Sequence, residues 1–240
     1  MTHPEPIRLL IHGASGRMGH ALLRLAAHAS DLSVVAAVSR QPPDASGDVP
    51  WFASAALADV PAFDVAIDFS LPSGLPGIVG LCRSRGAALV SGTTGLDDSQ
   101  RALLADAGNE IAVLWAANFS LGIAVLSELV RQAAAALPGW DCDVIEAHHT
   151  RKRDAPSGTA LALGAAVAAG RGSDPHYCAI RAGDIVGEHT VMLTAAGERL
   201  ELIHRASNRD VFALGALEAA RRLAGRGAGN HDLAALLFAR

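Results

Sequence analysis

Short, near-continuous apolar runs alternate with longer segments of helical period through the first half of the chain. Ile7–Ile11 reads as a strand, and a glycine-containing turn leads into a helical pattern from about Gly16 to Ala29. Leu32–Val38 is again a strand, β-branched and unbroken. Phe63–Phe69 follows, then a helix ending near Arg85. Ala87–Val90 leads to SGTTG and a helix capped near Asp97 or Asp98, and Ile111–Trp115 leads into AANFS. Strands without polar alternation, interleaved with helices, predict a parallel sheet covered on both faces.

From there the pattern changes. Leu121–Leu137 reads as a helix, Asp143–Ala147 as a strand and Ala160–Ala169 as a helix. Tyr177–Arg181, His189–Thr194 and Arg199–Arg205 are strand-like, and Ala195-Ala196-Gly197-Glu198 between the last two is a hairpin signal. This predicts a smaller α+β domain with a mixed or antiparallel sheet beside a doubly wound, Rossmann-like α/β domain. The expected partition is 1–118 with 208–240, and 119–207, with a hinge at Asn118–Gly122 and a return crossing at Ser207–Arg209. The tail, about Asp210–Leu223 and Leu233–Ala239, is helical and is expected to belong to the first domain.

Composition narrows the function. With 50% hydrophobic and 18% charged residues in a 240-residue chain, a sizeable core is possible. A net charge of −4 argues against nucleic-acid binding. The apolar stretches fall short of a clean membrane span, and MTHPEPIRLL lacks a signal-peptide layout. Cys82, Cys142 and Cys178 form no CxxC pair. A cytoplasmic protein is expected.

GASGRMG, Gly13–Gly19, lies between the first strand and first helix. Such a turn can aim backbone N–H groups at a pyrophosphate, although tight packing alone can also demand glycine. The spacing is GxxGxxG, not the usual GxGxxG, with Ser15 at the variable place. The second strand ends in Val38-Ser39-Arg40. The acid that would bind the ribose of NAD is missing, and Arg40 suits a 2′-phosphate, unless it is an ordinary exposed arginine. Asp68-Phe69-Ser70, Gly92–Gly95 and Ala116–Ser120 would share the same sheet edge and form a rim for a nicotinamide.

EAHHTRKRDAPSGTAL, Glu146–Leu161, concentrates positive charge before a helix start. It is either a solvated basic loop or an anion site built from charge and helix dipole. Pro156 and Ser157 suit a helix start, and Thr159 can help satisfy free N–H groups. A histidine there could move a proton. Adjacent histidines diverge and no third ligand is spaced nearby, so no metal is expected.

This stretch resembles the signature E-x-H-H-x-x-K-x-D-A-P-S-G-T-A of the dihydrodipicolinate reductase family, the 4-hydroxy-tetrahydrodipicolinate reductases of lysine and diaminopimelate synthesis. The resemblance continues, in order, through GASGRMG, DFSLP, SGTTG, AANFS, RAGDIVGEH and HRASNRDVFALGA. It implies hydride transfer from NADPH or NADH to a cyclic, unsaturated dicarboxylate. By position, His148 resembles the proton-handling residue and Lys152 a second acid or charge partner. His149, Ser157, Gly158 and Thr159 resemble the substrate-carboxylate contacts. Gly13, Ala14, Ser15, Gly16, Arg17, Met18, Ser39, Arg40, Gly92, Thr93, Thr94, Ala116, Ala117, Asn118 and Phe119 resemble the cofactor contacts, with NADPH expected to be preferred. The resemblance also implies a homotetramer. However, only GRGSDPHYCAI lies between the Ala160 helix and RAGDIVGEH, where the family has a longer insert, so a looser tetramer or a dimer is expected. The rival readings are another NADP-dependent oxidoreductase acting on a small anionic acid, and a non-catalytic dinucleotide-binding regulator.

Overall fold

The computed structural model describes residues 5–43 and 47–239, so the first four residues of MTHPEPIRLL lie outside it. Contacts divide the chain into two units. One runs through Phe119 and resumes at Phe212, and the other is Ser120–Val211.

The first unit is built on strands β1 (Ile7–His12), β2 (Leu32–Ser39), β3 (Trp51–Ala53), β4 (Val65–Asp68), β5 (Ala88–Ser91), β6 (Ala112–Trp115) and, from the returning chain, a strand at Gly229–His231. Its helices are α1 (Arg17–Ala26), α2 (Leu75–Arg85) and α3 (Asp98–Ala107). All neighbouring strands pair in parallel, in the order Gly229–His231, β6, β5, β4, β1, β2, β3. The order reverses between β1 and β4, which makes the C-terminal ends of these two strands the switch point of the sheet. β4 and β5 are buried along their whole length, as an unalternated apolar strand requires.

Local chemistry sets the element ends. Gly13 adopts φ +83°, and a Cβ there would run into the Phe69 carbonyl, so only glycine permits the turn from β1 into α1. α3 starts with a capping box, in which the Asp97 carboxylate accepts from the Gln100 amide while the Gln100 side chain accepts from Asp97 N–H.

The second unit contains α4 (Leu121–Ala136), β7 (Asp141–His148), α5 (Gly158–Arg171), β8 (His176–Arg181), β9 (Gly187–Ala195) and β10 (Glu198–Ala206). Its sheet has the order β10-β9-β7-β8 and is mixed: β7 and β8 are parallel, and the other pairs antiparallel. The β9–β10 hairpin turns at Ala196-Gly197, with Gly197 at φ +91°.

Alternation along β7 buries Cys142, Val144, Glu146 and His148 on one face. On β9 it buries Gly187, His189, Val191 and Leu193. The register sets Cys142 opposite Leu193, Val144 opposite Val191 and Glu146 opposite His189. The inner face is therefore apolar at one end, where it joins Leu126 and Val130 of α4 and Leu163 and Val167 of α5 in a core cluster. At the other end it is polar. The chain returns through α6 (Asp210–Leu223), the Gly229–His231 strand, here β11, and α7 (Leu233–Phe238). α6 seats against the first unit so closely that a Cβ on Gly215 would strike the Phe119 carbonyl oxygen.

Candidate active site

The polar end of the second unit's inner face centres on Glu146, which is 1% exposed. Its Oε2 lies 2.5 Å from His148 Nδ1 and accepts from Arg181 Nη1 at 2.7 Å. Oε1 accepts from Arg181 Nη2 at 2.7 Å and from the Ser157 backbone N–H at 3.1 Å. Burial pushes the Glu146 carboxyl upward. The hydrogen bonds and charge of Arg181 and His148 outweigh it, and the group ends below the usual carboxylate range. A charged Glu146 is an acceptor only, so the proton on His148 sits at Nδ1. Nε2 is left to face Gly187, where an added Cβ would lie 3.1 Å away.

Ser157 joins this carboxylate to α5. Its hydroxyl caps the helix by accepting from Ala160 N–H at 3.1 Å, and it lies 3.2 Å from His189 Nε2. Gly158 and Thr159 open the helix. A Cβ on Gly158 would meet nothing within 4 Å, so the helix start stands open beside the basic loop. His149 follows His148, with Nε2 3.3 Å from Arg209 Nη2 and a buried Nδ1 that has no partner among the described groups. Burial, then Arg151 and Arg209, push its imidazole pKa down. Lys152 Nζ meets Asp154 Oδ2 at 2.8 Å.

His189, 4% exposed and edge-on to His148 at 5.2 Å, is pushed down to about 4 by burial and then by His148 and His204. It is neutral near pH 7. Unfolding releases it to its ordinary value of about 6.5, so between those two values the unfolded chain binds more protons. Stability should then rise with pH across that window and fall as pH drops from about 6.5 to 4. Chemical denaturation of the parent at pH 5 and 7, compared with His189→Gln, checks this. The variant should lose much of the acid sensitivity, and an unchanged difference would show that His189 does not contribute to it.

In the first unit, Gly13, Ser15, Gly16, Ser39 and Arg40 line one cavity of about 550 Å³ together with Phe69, Ser70 and Gly74. Ala14 is fully buried, and Arg17 and Met18 begin α1. Gly92–Thr94 follow β5, and Ala116–Phe119 follow β6 at the same sheet edge. Thr93 turns its hydroxyl to Asp68, and Phe119 is buried edge-on to Phe69 at 5.5 Å. The glycine cradle and an exposed arginine at one cavity fit a dinucleotide. Among the described residues no group of three or more His, Cys, Asp or Glu is placed to hold a metal, and no helix is long and apolar enough to cross a membrane.

Sequence reasoning gave no role to Glu146, Arg181 or His189. The signal for Glu146 and His148 is their i, i+2 spacing on one strand, which puts both on the same face. Arg181 and His189 belong to the RAGDIVGEH motif, but only the sheet brings them to Glu146.

A family model for the N-terminal part of dihydrodipicolinate reductase matches residues 7–119, and one for its C-terminal part matches 122–237. A 4-hydroxy-tetrahydrodipicolinate reductase of Xanthomonas axonopodis pv. citri is 61% identical over 97% of this chain and 98% of its own length. One from Stenotrophomonas maltophilia is 62% identical, again over 97% and 98%. The dipicolinate-bound dihydrodipicolinate reductase from Paenisporosarcina sp. TG-14 shares the fold, with a TM-score of 0.82 at 22% identity over 98% of this chain and all of that one.

Proposed function

Because the chain belongs to the dihydrodipicolinate reductase family, we propose that it reduces 4-hydroxy-tetrahydrodipicolinate to tetrahydrodipicolinate, in lysine and diaminopimelate synthesis, with a nicotinamide dinucleotide as reductant. The observation that carries this is the convergence of His148, Ser157 and the start of α5 on one buried carboxylate, Glu146.

Gly13, Ser15 and Gly16 would hold the cofactor's pyrophosphate, and Ser39 and Arg40 its adenosine ribose. When bound, the dinucleotide supplies the hydride. A dianionic ring next to the basic loop gains from the charge of Lys152, and one carboxylate suits the backbone amides of Gly158 and Thr159 at the positive end of α5. The 4-hydroxyl and a proton from the adjacent ring carbon leave as water, which conjugates the ring; as the carbon that carried the hydroxyl then gains a hydride, the ring nitrogen gains electron density and needs a proton. His148 as the imidazolium delivers its Nε2 proton, keeps its Nδ1 proton on Glu146, which balances the imidazolium's charge, and regains the Nε2 proton from water. The proposed homo-oligomer would use the open face of the four-stranded sheet, where Ile180 and Ile203 are exposed. The relatives above are matched over 98% of their length, so the compact second unit is not peculiar to this chain. The test is a coupled assay that supplies the upstream synthase's product and follows NADPH absorbance. Turnover supports the reading, and NADPH binding without turnover favours a dinucleotide-binding regulator.

NADPH should be preferred over NADH. Ser39 does not repel a 2′-phosphate, and Arg40 can grip one through two N–H donors. One such contact contributes about 1.5–3 kcal/mol, or roughly ten- to a hundredfold. In Arg40→Ala, kcat/KM for NADPH should drop while that for NADH holds. An equal drop for both would make Arg40 an ordinary surface residue.

A further inference from the structure

The reaction as derived leaves one buried polar cluster unused. His12 and Asp68, 3% and 0% exposed, end β1 and β4 at the switch point of the first sheet. Asp68 Oδ1 meets His12 Nδ1 at 2.8 Å and accepts from Ser70 N–H at 3.2 Å. Its Oδ2 accepts from the Ser91 hydroxyl at 2.9 Å and the Thr93 hydroxyl at 2.8 Å. Burial pushes the Asp68 carboxyl up, but these donors and His12 hold it below its ordinary range. A carboxylate surrounded by donors fixes the His12 proton at Nδ1. Nε2 is then the nitrogen available to a ligand.

The ring lines the same cavity as Ser39 and Arg40, and the sheet register places His12 beside Val38, the residue before Ser39. Gly74 leaves room for the ring, since a Cβ there would stand 2.9 Å from its Cε1. Ser39 is already engaged: its hydroxyl donates to the Gln41 carbonyl at 2.5 Å and accepts from Trp51 Nε1 at 3.2 Å. With no acid at the end of β2, the ribose needs an acceptor from a neighbouring strand. We propose that His12 is a specificity-determining contact for the adenosine ribose of the dinucleotide. Its Nε2 accepts from the 2′-hydroxyl of NADH when neutral, and donates to the 2′-phosphate of NADPH when protonated. An imidazole can serve both sugars where a carboxylate would serve one. This rests on the dinucleotide reading above. The charged groups about the ring are Asp68 of β4, its hydrogen-bond partner, and Arg40 after β2, which lines the same cavity.

The experiment measures Kd for NADPH and NADH by calorimetry across about pH 6 to 8, in the parent and in His12→Phe. In the parent, the preference for NADPH should strengthen as pH falls, up to about tenfold per pH unit, the limit for one proton taken up. The 2′-phosphate's own ionisation near pH 6 acts in the opposite direction and is common to both proteins, so the difference between their slopes is the readout. His12→Phe should lose the parent's slope and bind NADH more weakly. If that variant does not fold, ¹⁵N spectra of the unaltered protein's imidazoles replace it, with His12 Nε2 expected to gain a proton with NADPH and none with NADH. Equal slopes in both proteins, or an Nε2 that responds to neither cofactor, overturn the assignment. If the parent binds neither dinucleotide, the underlying cofactor reading fails instead.

Discussion

Turnover of His148→Gln should fall by about 10²–10³-fold, the usual scale for a lost proton donor, while NADPH still binds. Glutamine keeps a polar group near Glu146 but cannot carry a proton on and off at neutral pH. The ring nitrogen of the substrate must then take its proton from water, so the loss should fall on kcat more than on KM. Lys152→Ala should cost a similar factor if its ammonium meets the substrate, but there KM should rise as well, because the charge is offered to the ground-state dianion too. In the structure Lys152 holds Asp154 at 2.8 Å, so substrate must compete with that carboxylate. Steady-state kinetics of both variants separate the two roles. A His148→Gln enzyme with near-parental kcat would remove His148 from the proton step.

Removing Arg181 should have the largest effect on stability. Its guanidinium gives Glu146 two parallel hydrogen bonds, and Glu146 is almost wholly buried. Arg181→Ala leaves that charge with His148 and one backbone N–H. Breaking a buried pair from one side costs about 3–5 kcal/mol, and the partial exposure of Arg181, 20% of its side chain, places the expectation near the lower end. Replacing both partners, as in E146Q/R181M, should recover much of the stability because no buried charge remains. Activity should not recover, since His148 loses the carboxylate that fixes its proton at Nδ1. Urea unfolding and kcat, measured on the single and double variants, test the split. A double variant as unstable as Arg181→Ala would mean that the arginine acts by packing and not by charge.

Among the strands of the first unit, those legible in the sequence are the ones whose burial comes from their own residues. Val65–Ile67 and Ala88–Val90 are unbroken apolar runs, each closed by one buried polar residue, and Leu32–Val38 extends in the structure by one residue to Ser39. β3 and β11 escape the pattern because Trp51–Ala53 and Gly229–His231 are only 3 residues each, too short to show a run or a period. They are strands because Ala37–Ser39 and Ala112–Leu114 offer them an edge to pair with. The helix expected from Ala160 begins at Gly158, since Ser157 acts as its cap. In the site, contiguous chemistry was readable: the glycine turn, Arg40, and the run from His148 to Thr159. Arg181 and Glu146 are far apart in sequence, and only the parallel pairing of β7 with β8 unites them. His12 was hidden by its strand, where a single polar residue at the end of an apolar run reads as a boundary.

The seat of α6 against Phe119 has a consequence for synthesis. The first unit's sheet is nearly complete when Phe119 leaves the ribosome, but the surface that Gly215 and its helix will cover stays bare until all of Ser120–Val211 has been made. β11, the edge strand beside β6, comes later still. The inserted unit is thus the first whose residues have all emerged, although the other unit starts earlier. Domains fold as units during translation, so the nascent chain carries an unfinished first unit, open at one edge, while its inserted unit closes.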